Sequence, residues 1–264
     1  MPHAVFRQTG SKSLMEAARP YSRLLYWLER SCAMSSDDRQ RIAELPLTVA
    51  NFGSNQLIAK HGDAPPRCTL LLSGFIYGHK LVGTSRRQIT SLLVPGDIAG
   101  LQGLCLSRLD HSLSALGPTV VVFFPHAPFA AILNESPQLS RAFWRETFVE
   151  AAIAREWIAN LGRREALARL AHVICELAVR LRVVDTLQSF SLCIPWTQTD
   201  VADICGISGV HANRVVQELR RSRVLDWGSS QICVLDWQAL CEVADFSEDY
   251  LLRAPQQEFA NSDA

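Results

Sequence analysis

The chain has 264 residues, of which 48% are hydrophobic, which suffices for two domains with hydrophobic cores and excludes a disordered chain. Its 26 Lys and Arg residues are balanced by 26 Asp and Glu residues, so the formal net charge at pH 7 is zero. This balance excludes a global positive field for nucleic acid, and any affinity for DNA has to come from a local basic surface.

Targeting signals are not evident in the sequence. The N-terminal stretch lacks the apolar core of a signal peptide, and no apolar run approaches the length that crosses a bilayer. We therefore expect a cytoplasmic protein that makes no membrane contacts.

The eight cysteines are scattered along the chain and contain no C-x-x-C pair. They are Cys32, Cys68, Cys105, Cys175, Cys193, Cys205, Cys233 and Cys241. This spacing favours reduced cysteines that pack as small hydrophobes over a disulfide framework or a metal site. We expect no bound metal and no cofactor.

The N-terminal region predicts a loose tail followed by two helices. Residues 1–20 are polar and irregular, and a first helix is predicted from Pro20, with Leu24, Leu25 and Leu28 along one side. A second short helix is predicted from Ser36 to Leu45, capped by Ser36 and its acidic neighbours and stopped by Pro46.

From Leu47 to about Phe124, short apolar runs alternate with Gly, Pro and polar pairs, which predicts an all-β region. The predicted strands are Leu47–Phe52, Leu57–Ala59, Cys68–Ser73, Phe75–Leu81, Gln88–Val94 and Val120–Phe124. Turns are predicted between them at residues 61–63, 82–84 and 95–97. Strand spacing of this kind is typical of a barrel or jelly roll, which is either purely structural or holds a small ligand in its interior.

Helical periodicity begins after Pro137 and continues to Leu161, just before Gly162. The helix carries two apolar stripes about a third of a turn apart. The first holds Trp144, Phe148, Ala151 and Ile158, and the second holds Leu139, Phe143, Ile153, Trp157 and Leu161. One stripe can pack on the barrel, and we expect the first to pack on the same helix of a second subunit. The alternative is burial of both stripes within one chain.

A clean amphipathic helix is predicted from Arg164 to Leu181. Its apolar positions recur at helical spacing and are Leu167, Leu170, Ala171, Ile174, Leu177, Ala178 and Leu181. We expect this helix to begin a C-terminal domain, with residues 162–163 as the hinge.

The segment Thr197–Arg221, TQTDVADICGISGVHANRVVQELRR, predicts two short helices joined at Gly206. Val201, Ile204 and Cys205 form the packing face of the first helix. Gly206 can adopt the left-handed backbone that ends a helix, and Ser208 can cap the second helix. The buried positions predicted for the second helix are Ala212, Val215, Val216 and Leu219.

The free face of this segment is polar and basic, which is typical of a helix-turn-helix that reads DNA. The residues predicted to contact DNA are Thr197, Gln198, Ser208, Gly209, His211, Asn213, Arg214, Gln217, Arg220 and Arg221. An ordinary helical hairpin in a protein core is the alternative, but the small, turning and buried residues and the basic face agree on DNA binding.

Two strand-like runs follow, Val224–Trp227 and Gln231–Leu235, separated by Gly228, Ser229 and Ser230. A hairpin directly after the recognition helix predicts a winged helix-turn-helix, with the tip of the wing placed to touch the phosphate backbone.

The order of β-roll, long central helix and C-terminal winged helix-turn-helix resembles the Crp/Fnr family of bacterial transcription regulators over nearly the whole chain. The most specific segment is Pro195–Leu225, PWTQTDVADICGISGVHANRVVQELRRSRVL, and residues 95–97 resemble the Gly-containing corner of the family's nucleotide-binding roll. The resemblance implies an α+β fold with an N-terminal double-stranded β-helix (jelly-roll) sensor domain. It also implies a homodimer that binds a two-fold-related site on double-stranded DNA and contacts RNA polymerase.

The resemblance divides the chain into five parts. They are a tail at 1–20, a cyclic-nucleotide-binding-like sensor domain at 21–136, a dimerisation helix at 137–162, a winged helix-turn-helix domain at 163–250 and a tail at 251–264.

Base-reading residues are carried over by position. Arg214 matches the family's guanine-reading arginine, and Asn213 occupies the neighbouring base-contacting position. Gly209 and Val210 stand where the family's cyclic-AMP receptor has an Arg and a Glu, so we expect a different preferred DNA sequence, with His211 compensating in part.

The residues expected around a ligand in the roll are Gly96, Asp97, Arg108, His111 and Ser112. The family's cyclic-AMP binders use a Gly-Glu corner and an Arg-Ser pair, whereas here Asp97 replaces the Glu and His111 replaces the Arg. The two-pronged, permanently charged phosphate donor is therefore missing. We expect cyclic AMP to bind weakly or not at all unless Arg108 folds inward, and an unidentified small-molecule effector stays open.

Two other functional classes are weighed against this interpretation. A haem or metal sensor would use side chains such as His61, His79, His111 or Cys105, whose spacing shows no ligand pattern. The Fnr branch builds an iron–sulfur cluster on closely spaced N-terminal cysteines, and here Cys32 stands alone in that region. An enzyme is not expected, because no nucleophile–base pair, phosphate-binding Gly loop or paired carboxylates form a recognisable motif.

Overall fold

The computed structural model describes residues 34–83, 86–181, 189–228 and 231–251, together with residues 24, 25, 28, 29 and 32. Residues 24, 25, 28 and 29 are helical, in agreement with the helix predicted from Pro20. The tail predicted at 1–20 lies outside the described residues, as do residues 252–264. Leu251, which the sequence placed in the C-terminal tail, is instead buried at the end of a short 3-10 turn, Asp249–Leu251.

Helix α1 spans Ser36–Ala43 and confirms the second predicted helix. Its N-cap is Ser35, one residue earlier than predicted. The Ser35 hydroxyl accepts from the backbone N–H of Asp38, and the Asp38 carboxylate accepts from the backbone N–H of Ser35. This reciprocal capping satisfies two backbone donors that would otherwise lack a partner at the start of the helix.

The N-terminal domain is an antiparallel β-roll, as expected from the sequence. Its strands are β1 (Thr48–Phe52), β2 (Leu57–Ala59), β3 (Arg67–Val82), β4 (Arg86–Leu93), β5 (Ile98–Ala99) and β6 (Ser112–Pro125). They pair in the order β1-β6-β3-β4, with β2 also on β6 and β5 also on β3. The long strands β3 and β6 therefore form the middle of the sheet.

The sequence predicted two strands, Cys68–Ser73 and Phe75–Leu81, where the structure has the single strand β3. The two predicted strands are continuous because Gly74 forms a bulge and does not end the strand. The register with β6 shifts on both sides of Ser73, and Gly74 has φ 81°. A Cβ at Gly74 would overlap the carbonyl oxygen of Pro118 on β6. Only glycine fits both the left-handed backbone and this close approach of the two strands.

Alternating residues of β3 face different cores, since successive side chains on a strand point to opposite faces. Leu71 and Ile76 pack inside the roll, whose other buried members are Leu93, Ala99, Leu113, Val121 and Phe123. Leu70 packs on the opposite face against the helices, and beyond the bulge Phe75 and Tyr77 join the core of the C-terminal domain. Strand β3 thus contributes to each of the three hydrophobic cores in the described part of the chain.

Two helices connect the roll to the C-terminal domain. Helix α2, His126–Glu135, was not predicted from the sequence, whereas the long central helix α3, Pro137–Arg163, was. Ser136 caps α3 by accepting from the backbone N–H of Leu139, and Pro137 occupies the first helical position, where its missing N–H costs nothing. Helix α3 runs one residue past Gly162 before the chain becomes extended at Arg164.

In its described residues, the C-terminal domain has four α-helices around a small sheet. The helices are α4 (Ala166–Arg180), α5 (Gln198–Cys205), α6 (Gly209–Arg221) and α7 (Trp237–Ala244), and the strands are β7 (Phe190–Leu192), β8 (Leu225–Trp227) and β9 (Ile232–Val234). The strands pair antiparallel in the order β7-β9-β8, so the predicted hairpin gains a third strand.

A buried polar cluster joins the roll, the central helix and the C-terminal domain. The carboxylate of Glu176, which is 0% exposed, accepts hydrogen bonds from Trp157 Nε1 at 3.0 Å and from the Tyr250 hydroxyl at 2.9 Å. Arg180 pairs with Glu176 at 3.1 Å and also with Asp97 in the Pro95–Asp97 turn of the roll. Three parts of the chain therefore meet at two charged side chains of helix α4.

The same cluster extends to a neutral histidine. Burial and the charge of Arg164 lower the pKa of His172 to about 4, so the imidazole carries no charge near pH 7. The Tyr250 hydroxyl lies 3.2 Å from His172 Nε2, and the two rings stack. Burial raises the pKa of the Glu176 carboxyl, and the charge of Arg180 opposes that increase.

Replacing Arg180 with methionine is expected to lower the free energy of unfolding by about 3–5 kcal/mol, because the change leaves two carboxylates without their cation in a buried site. Urea unfolding followed by circular dichroism measures the effect.

The matched control for Arg180→Met is Arg41→Met, since Arg41 forms an exposed ion pair with Glu135 at 2.9 Å. The control is expected to change the free energy of unfolding by less than about 1 kcal/mol. Equal effects of the two substitutions would show that the buried cluster does not stabilise the fold in the way described.

Candidate nucleic-acid interface

Helices α5 and α6 form the predicted helix-turn-helix. Thr197 caps α5, because its hydroxyl accepts from the backbone N–H of Asp200 at 3.1 Å, while the Asp200 carboxylate accepts from the backbone N–H of Thr197 at 2.9 Å. Gly206 ends the helix in the left-handed region, with φ 64°. Ser208 then caps α6 by accepting from the backbone N–H of His211 at 3.3 Å.

The packing predicted behind the motif is confirmed. Val201, Ala202, Ile204 and Cys205 of α5 are buried, and so are Ala212, Val215 and Leu219 of α6. Val216 is only partly buried at the edge of the same core. The two helices therefore present their apolar faces to each other and to α4, which leaves the opposite face of α6 for other contacts.

The outer face of α6 carries most of the residues predicted to contact DNA. Those that are exposed on α6 are Gly209, His211, Asn213, Arg214, Gln217, Arg220 and Arg221. Arg220 lies 3.2 Å from the Asp226 carboxylate in an exposed ion pair. The structure therefore gathers these residues on one surface.

The remaining predicted contacts lie at helix N-termini. Gln198 is exposed in the first turn of α5, and Ser208 is the exposed cap of α6. The Thr197 hydroxyl is held by the Asp200 carboxylate at 2.6 Å, so its capping role limits its freedom to bind another group. Helix N-termini offer unpaired backbone N–H groups to anions such as phosphate.

The hairpin of β8 and β9 follows α6 directly and forms the wing. Leu225 pairs with Val234 and Trp227 with Ile232. Ser229 and Ser230, at the predicted tip of the wing, lie outside the described residues. Trp227 packs against the buried Trp196 with ring centroids 5.8 Å apart, which fixes the base of the wing to the segment before the helix-turn-helix.

The first helix of the motif is anchored to the roll by Arg87, a residue that sequence reasoning missed. Its guanidinium pairs with Asp200 at 2.8 Å and with Asp203 at 2.6 Å, and it donates to the Tyr77 hydroxyl at 2.6 Å. The side chain of Gln88 adds a bond to the carbonyl of Asp203 at 2.7 Å. The only sequence signal of this contact is an arginine directly before the predicted strand Gln88–Val94, since its acidic partners lie more than 110 positions later in the chain.

Arg169 of α4 is a second contact that the sequence did not reveal. Its guanidinium donates to the carbonyls of Asn160 at 3.2 Å and Arg164 at 2.9 Å, and also to the carbonyl of Cys205 at the end of α5. A cation at the C-terminus of a helix satisfies free carbonyls and complements the helix dipole. Arg169 thus joins the end of the central helix to the turn of the motif.

The two apolar stripes predicted on the central helix α3 differ in burial. In the second stripe Leu139, Phe143 and Trp157 are buried within the chain. In the first stripe Trp144 and Phe148 are each 67% exposed and Ile158 is 71% exposed, while Ala151 is partly buried. The described part of the chain therefore covers one stripe and leaves three large apolar side chains of the other in contact with solvent.

The five residues predicted for a ligand pocket lie in two segments of the roll, at 96–97 and 108–112. A cleft of about 200 Å³ is lined in part by Asp63, Arg108 and His126, and of the five predicted residues only Arg108 lines it. Asp97, beside Gly96, pairs with Arg180 instead. The cleft is smaller than the roughly 300–1,000 Å³ of typical ligand pockets.

The other two predicted pocket residues have partners within the roll. His111 Nδ1 lies 2.7 Å from the Asp110 carboxylate, and the Ser112 hydroxyl accepts from the backbone N–H of His61 at 3.0 Å. Arg108 is exposed and donates to the carbonyl of Gly62 at 3.4 Å.

No group of three or more His, Cys, Asp or Glu side chains that could hold a metal ion occurs within the described ranges. None of the eight cysteines forms a disulfide bond within the described residues, and Cys68, Cys175 and Cys205 are buried. Burial raises the pKa of the Cys68 and Cys205 thiols to about 12, which keeps both protonated. Among the helices that the structure describes, none is long and apolar enough to cross a membrane.

Two family models match the two domains. The model of the Crp-like helix-turn-helix domain matches residues 168–243, and that of the cyclic nucleotide-binding domain matches residues 49–136. The chain belongs to the Crp/Fnr family of transcription regulators. The two matches confirm the roll and the helix-turn-helix domain of this Crp/Fnr protein.

This Crp/Fnr chain is similar in sequence to regulators from other bacteria. It is 24% identical to the transcriptional activator protein FnrL of Cereibacter sphaeroides, over 83% of this chain and 89% of FnrL. It is 28% identical to the nitrogen fixation regulation protein FixK of Bradyrhizobium diazoefficiens, over 70% of this chain and 77% of FixK. The solved structure of FixK2 from Bradyrhizobium japonicum has the same fold, with a TM-score of 0.69, 22% identity, and coverage of 77% of this chain and 100% of FixK2.

Proposed function

We propose that this Crp/Fnr regulator binds a two-fold-related DNA site as a homodimer and places one helix α6 in the major groove of each half-site. The observation that carries the proposal is the outer face of α6, where Asn213, Arg214 and Gln217 are exposed directly opposite the buried stripe. The major groove admits an α-helix and presents a distinct pattern of donors and acceptors for each base pair.

Arg214 is the proposed reader of guanine. Its guanidinium can donate two parallel hydrogen bonds to the O6 and N7 atoms of guanine, and Asn213 can bond adenine in the same two-pronged way. Arg220, Arg221 and Gln198 lie at the two ends of the motif and are proposed to bind phosphates. This local basic face supplies the positive charge that the neutral chain as a whole does not have.

The homodimer is proposed to form through the exposed stripe of the central helix. Exposed apolar patches with several large side chains mark protein–protein contacts more often than they mark free surface. Trp144, Phe148 and Ile158 repeat at helical spacing on one helix, and the same stripe on a second subunit is self-complementary about a two-fold axis. A two-fold dimer then matches a two-fold DNA site, and the DNA-bound regulator is proposed to contact RNA polymerase in the cytoplasm without enzymatic activity of its own.

The roll is proposed not to serve as a receptor for cyclic AMP. A cyclic phosphate needs a charged, two-pronged donor, and His111 and Ser112 are already engaged by Asp110 and the His61 backbone. Asp97 is held by Arg180, so it is not available to a ligand ribose. The proposed roles of the roll are structural support of the C-terminal domain or response to a signal other than cyclic AMP.

Arg214→Ala is expected to reduce discrimination between a preferred site, selected from random duplexes with the wild type, and random DNA, because a two-pronged contact to guanine contributes about 1–3 kcal/mol per half-site. Non-specific binding should remain, since Arg220 and Arg221 are unchanged. Fluorescence anisotropy with specific and random duplexes at one fixed salt concentration measures both affinities, and Arg41→Ala serves as an arginine control remote from α6. Full discrimination by Arg214→Ala would exclude Arg214 as the guanine reader.

Replacing Phe148 and Ile158 together with glutamate is expected to convert the dimer to a monomer, because the exposed stripe would carry repelling charges across the two-fold axis. DNA affinity should then fall steeply, since a monomer reaches only one half-site. Sedimentation velocity measures the oligomeric state, with Leu81→Glu as the control because Leu81 is an exposed apolar residue of the roll. An unchanged dimer in the double variant would reject the assignment of this stripe.

Cyclic AMP is expected to bind more weakly than micromolar, since the loss of charge compensation for the buried phosphate costs on the order of 2–5 kcal/mol. Isothermal titration calorimetry with the full chain measures the affinity. Micromolar or tighter binding would contradict this expectation, and loss of that binding in Arg108→Ala would then identify Arg108 as the phosphate donor.

A further inference from the structure

Val210 is an exposed apolar residue on the face of α6 that is proposed to enter the groove. Its side chain is 69% exposed in the first turn of the helix. Val210, Arg214, Gln217 and Arg221 are spaced by four, three and four residues, which at 3.6 residues per turn places them along one line of the helix. The buried residues Ala212, Val215 and Leu219 lie on the opposite side. Val210 therefore points in the same direction as the proposed guanine reader.

Among the residues that the structure describes, no packing accounts for a branched apolar side chain at this position. A valine loses rotamer freedom in a helix, and here that loss is not offset by burial. The structure also does not require a glycine at the neighbouring position 209. A Cβ added to Gly209 would meet no atom within 4 Å, and the Gly209 backbone is not left-handed. Both residues leave the start of the helix uncrowded and apolar, in a segment otherwise surrounded by polar side chains.

We infer that Val210 contacts the 5-methyl group of a thymine in each half-site and so makes that base pair part of the recognition sequence. The inference rests on the proposed insertion of α6 into the major groove. Valine has neither donor nor acceptor, and the thymine methyl is the apolar group among the base edges of that groove. In helix-turn-helix proteins the N-terminal residues of the recognition helix reach the base edges, and Val210 lies in that turn.

The position of the thymine follows from the geometry of the helix. Four residues span roughly 6 Å along a helix axis, at 1.5 Å per residue. Base pairs repeat about every 3.4 Å along the duplex. The thymine read by Val210 is therefore expected about one to two base pairs from the guanine read by Arg214.

The test removes the 5-methyl group of thymine from the DNA and combines this change with substitutions in the protein. A preferred site is first obtained by selection from random duplexes with the full-length wild-type chain. Each thymine of the half-site is then replaced in turn by deoxyuridine, which lacks only the 5-methyl group, in both half-sites. Dissociation constants are measured by fluorescence anisotropy at one fixed salt concentration for the wild type, Val210→Ala and Val49→Ala.

Val49→Ala is the matched control, because it makes the same substitution at an exposed valine, 49% exposed, on strand β1 of the roll. Val210→Ala should fold normally, since the side chain is exposed and alanine is the better helix former. Circular dichroism and the melting temperature check that both variants keep the wild-type fold.

At one thymine position, the wild type and Val49→Ala are expected to bind the deoxyuridine duplex about fourfold more weakly per half-site than the thymine duplex. This factor corresponds to the free energy of burying one methyl-sized group. Val210→Ala is expected to bind the thymine and deoxyuridine duplexes equally well at that position, while it still requires the guanine. A deoxyuridine penalty of the same size in Val210→Ala, or no penalty at any position in the wild type, would overturn the inference. If selection yields no preferred sequence at all, the proposed function fails as well, and the two failures are distinguished in this way.

Discussion

The position of the DNA-binding domain depends on the buried charges of helix α4. Glu176 is fully buried and accepts hydrogen bonds from the central helix through Trp157 and from the C-terminal turn through Tyr250. Arg180, one turn later, neutralises Glu176 and reaches Asp97 in the roll. A buried carboxylate without these partners would cost several kcal/mol, so the three parts of the chain are held in the one arrangement that supplies them.

Further contacts between the domains support this arrangement. Arg87 holds the first helix of the helix-turn-helix through two carboxylates, and Arg169 holds the end of the same helix through the carbonyl of Cys205. Gly117 adds a steric contact, since its φ is 77° and a Cβ there would overlap the ring of Pro195. The apolar core continues across the boundary, because Phe75 and Tyr77 of the roll pack with the residues behind α6. The direction in which the recognition helix faces is therefore set by the roll.

The local elements of this protein could be predicted from its sequence, and the long-range contacts could not. The motif at Gly206 and Ser208 and the two stripes of the central helix depend on spacing within one segment, and the structure confirms them. The first half of strand β6 was missed because its polar and Gly-Pro residues have low strand propensity, and pairing with β3 overrides that propensity. Strand β7 was missed because three residues gain strand structure only by pairing with β9.

The same distinction between local pattern and long-range contact applies to the functional site. The exposed face of α6 follows from helical periodicity, so the residues predicted to contact DNA lie together. The residues predicted for a ligand pocket come from two segments of the roll and stay a prediction, although Asp97 forms an ion pair with Arg180 and Arg108 lines a cleft of about 200 Å³. No pattern of spacing within the roll could show that a residue of helix α4 takes Asp97 as its partner.

The central claim is that two copies of helix α6, related by a two-fold axis, read one DNA site. Genome-wide mapping of the DNA bound by the full-length protein tests this claim most directly. The account predicts a shared motif with two inverted half-sites, each containing a guanine, with centres separated by about one helical turn or a multiple of it, roughly 34–36 Å per turn. A shared motif without inverted symmetry, or bound regions without any shared motif, would contradict it.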